Sequence, residues 1–136
     1  MNNRHIFKPP ATLPIGSVVI AYVRDNGGHH QENSRDQQQQ IITDYCKQYD
    51  LILNRVYSET ASGTARKRSQ FSEMFSALTT SPNNALPHGL LVWDYSRLSR
   101  NLVELHYFLK SVLSQGVVVH SITDEFQAQI QFLFLN

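Results

Sequence analysis

Four arginines, Arg24, Arg68, Arg97 and Arg100, carry most of the chemistry that this 136-residue sequence offers. Arg97 and Arg100 stand three apart in Trp93-Asp94-Tyr95-Ser96-Arg97-Leu98-Ser99-Arg100-Asn101, a spacing that lets both face one way. Guanidiniums beside the N-terminal amides of a helix make an anion site, because the helix dipole and the rigid donor forks both favour an oxyanion, and phosphate fits best. Solvated charge at a helix start is the plainer alternative. His29 and His30 are adjacent but lack Cys or carboxylate partners at metal spacing, so no metal and no cofactor is expected.

The elements that must position the arginines alternate. Ser17–Val23 (SVVIAYV) is a β-branched and aromatic run, as in a strand buried on both faces, and it delivers Arg24 into a polar loop running to Asn33. Ser34 with Gln37 forms a capping box for a helix whose stripe is Ile41, Ile42, Tyr45, Cys46 and Tyr49; Gln37–Gln40 reads as its polar first turn. Leu51–Tyr57 is a second strand. Ser58–Lys67 reads as a flexible loop carrying Ser62, Gly63, Arg66 and Lys67, and Ser69 as the cap of a helix with Phe71, Met74, Phe75 and Leu78 on its apolar stripe. A third strand, Leu90–Trp93, hands over to the Arg97/Arg100 turn. Asn101 caps a helix with Glu104 at N3 and Leu102, Leu105, Leu109 and Val112 along one face, ended by Gln115-Gly116 before a fourth strand, Val117–Ile122.

This order predicts a three-layer α/β domain with a mainly parallel sheet of four to five strands and helices on both faces, in flavodoxin-like order. The tail, Asp124–Asn136, is too ambiguous to assign by period and is read as an edge strand. Residues 1–16 read as a flexible arm and 17–136 as one domain. In such a sheet ligands bind outside the carboxyl ends of the strands, where all four arginines fall, and an anion is needed to hold that much like charge together. The formal charge of +1 gives no bulk drive toward nucleic acid. A lone Cys46 and the lack of a long apolar run point to a cytoplasmic protein without a disulfide framework or membrane span.

Several blocks in order resemble the catalytic domain of the serine site-specific recombinases of the resolvase and invertase type, particularly the large serine recombinases. They are Ile20-Ala21-Tyr22-Val23-Arg24, Ser34-Arg35-Asp36-Gln37-Gln38 with Tyr45-Cys46-Lys47, Tyr57-Ser58-Glu59 leading to Ser62-Gly63, Arg68 before Phe71, Ser96-Arg97-Leu98-Ser99-Arg100-Asn101, and Gly116-Val117 with the strand that follows. The resemblance implies a resolvase-like fold and metal-free DNA strand exchange, in which a serine attacks a backbone phosphate and becomes covalently linked to it. It also implies that Arg24, Arg68, Arg97 and Arg100 hold that phosphate, that DNA is the partner, and that the protein works as a dimer or tetramer. The long dimer helix and DNA-binding domain usual in the family are not seen in this sequence.

Two positions depart from the family pattern. The nucleophile of Y-x-R-x-S falls on Asn26, and the aspartate of D-R-L-S-R falls on Ser96. A carboxamide has no ionisable hydroxyl, so Asn26 is expected to leave this copy impaired in cleavage. Ser34 is better explained as a helix cap than as a substitute nucleophile. The alternatives are a module kept for oligomerisation or DNA tethering, and a flavodoxin-like phosphate-binding protein; the latter is disfavoured because no glycine-rich phosphate loop of the usual form follows the first strand.

Overall fold

A computed structural model of the chain describes residues 7–10, 12–27, 34–61 and 68–124. Within them, four parallel strands, β1 (Val18–Asp25), β2 (Ile52–Thr60), β3 (Gly89–Val92) and β4 (Val118–Ser121), lie in the order β2-β1-β3-β4. Three helices connect them: α1 (Arg35–Gln48), α2 (Ser69–Thr80) and α3 (Leu102–Leu113). This is the expected α/β architecture.

Alternation along β1 divides the core in two. Ile20 and Tyr22 join Leu90, Val92 and Val119 under α2 and α3, while Val19, Ala21 and Val23 join Leu91 and Ile122 under α1. That is why β1 reads as an unbroken apolar run: both faces are covered. Gly89 sits at a close approach, since a Cβ there would lie 2.9 Å from the Leu13 side chain and 3.3 Å from the Val118 carbonyl. Gly116 follows α3 at φ +85°, the left-handed turn that ends the helix.

The caps expected at Ser34 and Asn101 are present. Ser34 accepts from the Gln37 amide and the Gln37 side chain from the Ser34 amide; Asn101 accepts from the amides of Val103 and Glu104. Other expectations are corrected. Ser58–Thr60 continue β2, because β1 runs on to Asp25 and pairs with them, placing Glu59 beside Arg24 in register. The N-cap of α2 is Arg68, not Ser69, and no side chain of its own caps it. Leu102 is 79 % exposed although the period places it on the stripe, because the whole first turn of α3 stands clear of the packed layers. Gln38, read as part of a polar first turn, is 1 % exposed.

The arm expected to be flexible is anchored in its described part. Leu13 is buried in the α1 layer, the Tyr45 hydroxyl donates to the Lys8 carbonyl at 2.9 Å, and the Tyr49 hydroxyl donates to that of Phe7. The tail from 125 onward, His29, His30, Ser62, Gly63, Arg66 and Lys67 lie outside the described residues. Cys46 is buried, and burial pushes its thiol up to about 11, consistent with an inert packing residue.

His120 on β4 stacks on Tyr45, with Nε2 at 2.9 Å from the Tyr45 hydroxyl. Since that hydroxyl donates to Lys8, the neutral ring donates its Nε2–H to the phenol oxygen. Burial pushes the His120 pKa down from 6.5 to about 4. Above about pH 6.5 both folded and unfolded states are neutral; as the pH falls, the unfolded histidine takes up a proton that the folded one refuses until about pH 4. Folding stability is therefore expected to drop by about 3 kcal/mol across that window, and His120→Gln to flatten the slope. Urea midpoints measured from pH 7 to 4 check this; equal slopes in both proteins would refute it.

Candidate active site

The carboxyl edge of the sheet is built by a short 3₁₀ turn, Tyr95–Arg97, that follows β3; the backbone carbonyls of Ser96, Arg97 and the C-cap residue Leu98 accept bonds from arginine side chains. Arg24, last but one in β1 and only 3 % exposed, reaches two of them: Nη2 donates to the Ser96 carbonyl at 2.7 Å and Nε to that of Arg97 at 3.0 Å, while Nη1 donates to Ala61 at 2.8 Å. Arg68 arrives from the start of α2 and donates to the Leu98 carbonyl at 2.6 Å and to the same Arg97 carbonyl at 2.8 Å. Two of the four arginines thus clamp the segment from Tyr95 to Arg100 that carries the other two. A planar fork with several donors suits this task, since it satisfies diverging carbonyls from one buried charge.

The clustering is electrostatically tense. Burial first, and then the like charge of Arg68, lower the Arg24 pKa, and Arg97 and Arg100 push the same way. Arg24 thus feels three other cations, and like charge gathered in this way favours a negative group nearby. Arg97 is half-buried, with Nη1 donating to the Arg24 carbonyl at 3.3 Å; Arg100 is exposed. Asn26 is exposed just past the end of β1.

Carboxylates balance part of this charge, and they are the residues that sequence reasoning missed. Glu59 is buried, accepts from the amides of Gln70 and Phe71 at 3.2 Å each and from the Tyr22 hydroxyl, and lies 3.8 Å from Arg68 Nε. It therefore does for α2 what a capping side chain would. Burial, followed by the bond to Glu59, raises the Tyr22 phenol well above its usual value, so Tyr22 stays protonated and donates. Arg68 closes the circuit: Nη2 donates to the Tyr22 oxygen at 2.7 Å, and its guanidinium lies 4.2 Å above the Phe71 ring.

On the α1 side, Gln38 holds the end of β1 by its amide, with Nε2 donating to the Arg24 carbonyl at 2.8 Å and Oε1 accepting from the Arg24 amide at 3.3 Å. Asp25 sits at the N-terminus of α1. Burial alone would raise its carboxyl, but bonds from the Arg35 amide, the Thr60 hydroxyl and the Gly27 amide outweigh that and hold it below the usual range. Ser96 is engaged on both sides: its hydroxyl donates to Asp94 and its carbonyl accepts from Arg24. Ser99 is likewise tied to Glu104 and to the Asn101 amide. The period of a helix or strand could not reveal Glu59 or Gln38, because their burial depends on what arrives from distant segments.

A parallel sheet of order 2-1-3-4 with arginines collected at its carboxyl edge defines a class, the doubly wound proteins whose site lies at that edge. Within that class the family follows from the sequence itself: the model described as "Resolvase, N terminal domain" matches residues 19–135, and the chain belongs to that family. Solved structures share the fold. The N-terminal catalytic domain of TP901-1 integrase is 18 % identical with a TM-score of 0.71, covering 87 % of this chain and 91 % of that one. A resolvase family site-specific recombinase from Streptococcus pneumoniae is 18 % identical with a TM-score of 0.66, covering 88 % and 85 %. The C-terminal catalytic domain of ISC1926 TnpA, an IS607-like serine recombinase, is 19 % identical with a TM-score of 0.65, covering 85 % and 77 %. No curated protein matches the sequence. Among the described residues no helix is long and apolar enough to cross a membrane.

Proposed function

We propose that this chain is a catalytic-type domain for DNA site-specific recombination that still binds a DNA backbone phosphate but is deficient in strand cleavage. The observation that carries the proposal is the pairing of a tense, four-arginine cluster with Asn26 at the position of the attacking serine. Arg97 and Arg100 present donors to the phosphate, and Arg24 and Arg68 fix the turn and add charge. Asn26 can hydrogen-bond a phosphate oxygen but supplies no oxygen nucleophile, so no phosphoserine link forms there.

The expected result with duplexes from the flanks of the coding sequence is binding by both the chain and an Asn26→Ser variant. A denaturant-resistant protein–DNA adduct should appear only with the serine. An adduct formed by the Asn26 protein would refute the deficiency, and failure of both proteins to bind DNA would refute the recombination reading.

A second reading has its own support. Leu102, Val103 and Tyr107 are each more than half exposed on α3, an apolar face suited to assembly with another protein chain. On that reading the fold is retained for oligomerisation or DNA tethering, and sedimentation of the chain alone and with an active recombinase distinguishes it: a monomer that ignores the recombinase counts against it.

A further inference from the structure

We infer that Asp94 is a positioning residue for Arg97, supplying from two residues upstream the carboxylate that Ser96 does not provide; this rests on the recombination reading above. The geometry is a relay of three side chains in one turn. Ser96 Oγ donates to Asp94 Oδ1 at 2.5 Å, and the same oxygen lies 3.6 Å from Arg97 Nε. Among the described residues Asp94 is the carboxylate within ion-pair reach of Arg97, and Arg97 Nε is buried without a hydrogen-bond partner of its own. The ion pair therefore turns the guanidinium's Nε edge toward Asp94, while Nη1 is held by the Arg24 carbonyl at 3.3 Å.

Three features make this more than a surface pair. Both side chains are largely covered, with 16 % and 27 % relative exposure for Arg97 and Asp94. The Asp94 backbone carbonyl also accepts from the Arg97 amide at 3.2 Å, so carboxylate and guanidinium are set on one closed turn. And the Ser96 hydroxyl occupies the oxygen that faces Arg97, which fixes the carboxylate's rotation. A hydroxyl at position 96 is thus a part of the device, donating to the carboxylate that an aspartate there would have replaced.

A carboxylate beside an anion site lowers its affinity for phosphate while fixing the direction of the fork, and these two effects separate in the measurement. In the Asn26→Ser background, Asp94→Asn is expected to bind duplex DNA equally or up to about fivefold more tightly, because one negative charge is gone. Adduct formation at saturating DNA is expected to slow about 10- to 100-fold, because the guanidinium is no longer held in line. Adding Ser96→Asp to Asp94→Asn should restore the rate to within about threefold. A structural role alone would weaken binding and rate together and would not be rescued.

The Nε–H resonance of Arg97, assigned by its loss in Arg97→Lys, gives a readout free of DNA. Its proton exchange should be slower than that of exposed Arg100, speed up at least about tenfold in Asp94→Asn, and recover with Ser96→Asp. If Asn26→Ser forms no adduct the recombination reading fails, and this resonance still decides the role of Asp94. An Nε–H unchanged by Asp94→Asn, or an unrescued loss of both binding and rate, overturns the inference.

Discussion

Arg24→Ala is expected to destabilise the domain by about 3–5 kcal/mol, the largest effect of any single polar substitution at the carboxyl edge. The side chain is the shared donor for the carbonyls of Ala61, Ser96 and Arg97, which belong to two separate segments after β2 and β3. Alanine leaves the Ala61 and Ser96 carbonyls without that donor in a poorly hydrated place and the Arg97 carbonyl with Arg68 alone, and each charge-assisted bond lost is worth roughly 1.5–3 kcal/mol. Relief of repulsion from Arg68, Arg97 and Arg100 returns part of this, which keeps the estimate below the simple sum. Arg24→Lys separates charge from geometry. A lysine keeps the repulsion but cannot spread its donors over diverging carbonyls, so it should still lose about 2 kcal/mol or more. Guanidinium denaturation of the three proteins measures this; a loss under about 1 kcal/mol for Arg24→Ala would show that the carbonyls find other donors.

Glu59→Ala is expected to cost about 2–4 kcal/mol and to loosen the start of α2 before the rest of the molecule. The carboxylate accepts from the Gln70 and Phe71 amides and the Tyr22 hydroxyl, and stands near Arg68 Nε. Its removal frees two helix N-terminal amides, strands a buried phenol and leaves a cation without its nearest carboxylate. Glu59→Gln keeps an acceptor of similar shape and should lose about half as much. Native-state hydrogen exchange locates the effect. Faster exchange of the Gln70 and Phe71 amides at unchanged exchange in β1 is the expected pattern; an α2 that exchanges as before would mean that Glu59 does not cap it.

These two residues divide what the chain encodes locally from what it encodes through folding. Arg24 was legible because an apolar strand ends on it, and strand ends of a parallel sheet are where ligands bind. Glu59 was not, because Ser58–Lys67 is polar and glycine-bearing and no local signal tells that its first three residues extend the ladder beside β1. The hidden role of Gln38 has the same origin. In a run of four glutamines nothing distinguishes the second from its neighbours until β1 lies across the helix and one side chain alone meets the strand's last peptide groups.

By itself the sequence determined the alternation of strands and helices, the caps at Ser34 and Asn101, and the gathering of arginines at one edge of the sheet. Those are set by side-chain period, short-range hydrogen bonds and residue identity, all of which act within a few positions of the chain. Only the tertiary structure decided what the arginines are bonded to. It spends Arg24 and Arg68 on the carbonyls of the Tyr95–Arg97 turn and sets Asp94 against Arg97. The reason is that a donor's partner depends on which distant backbone groups lack one after folding, and that becomes defined when β1, α2 and the turn after β3 converge.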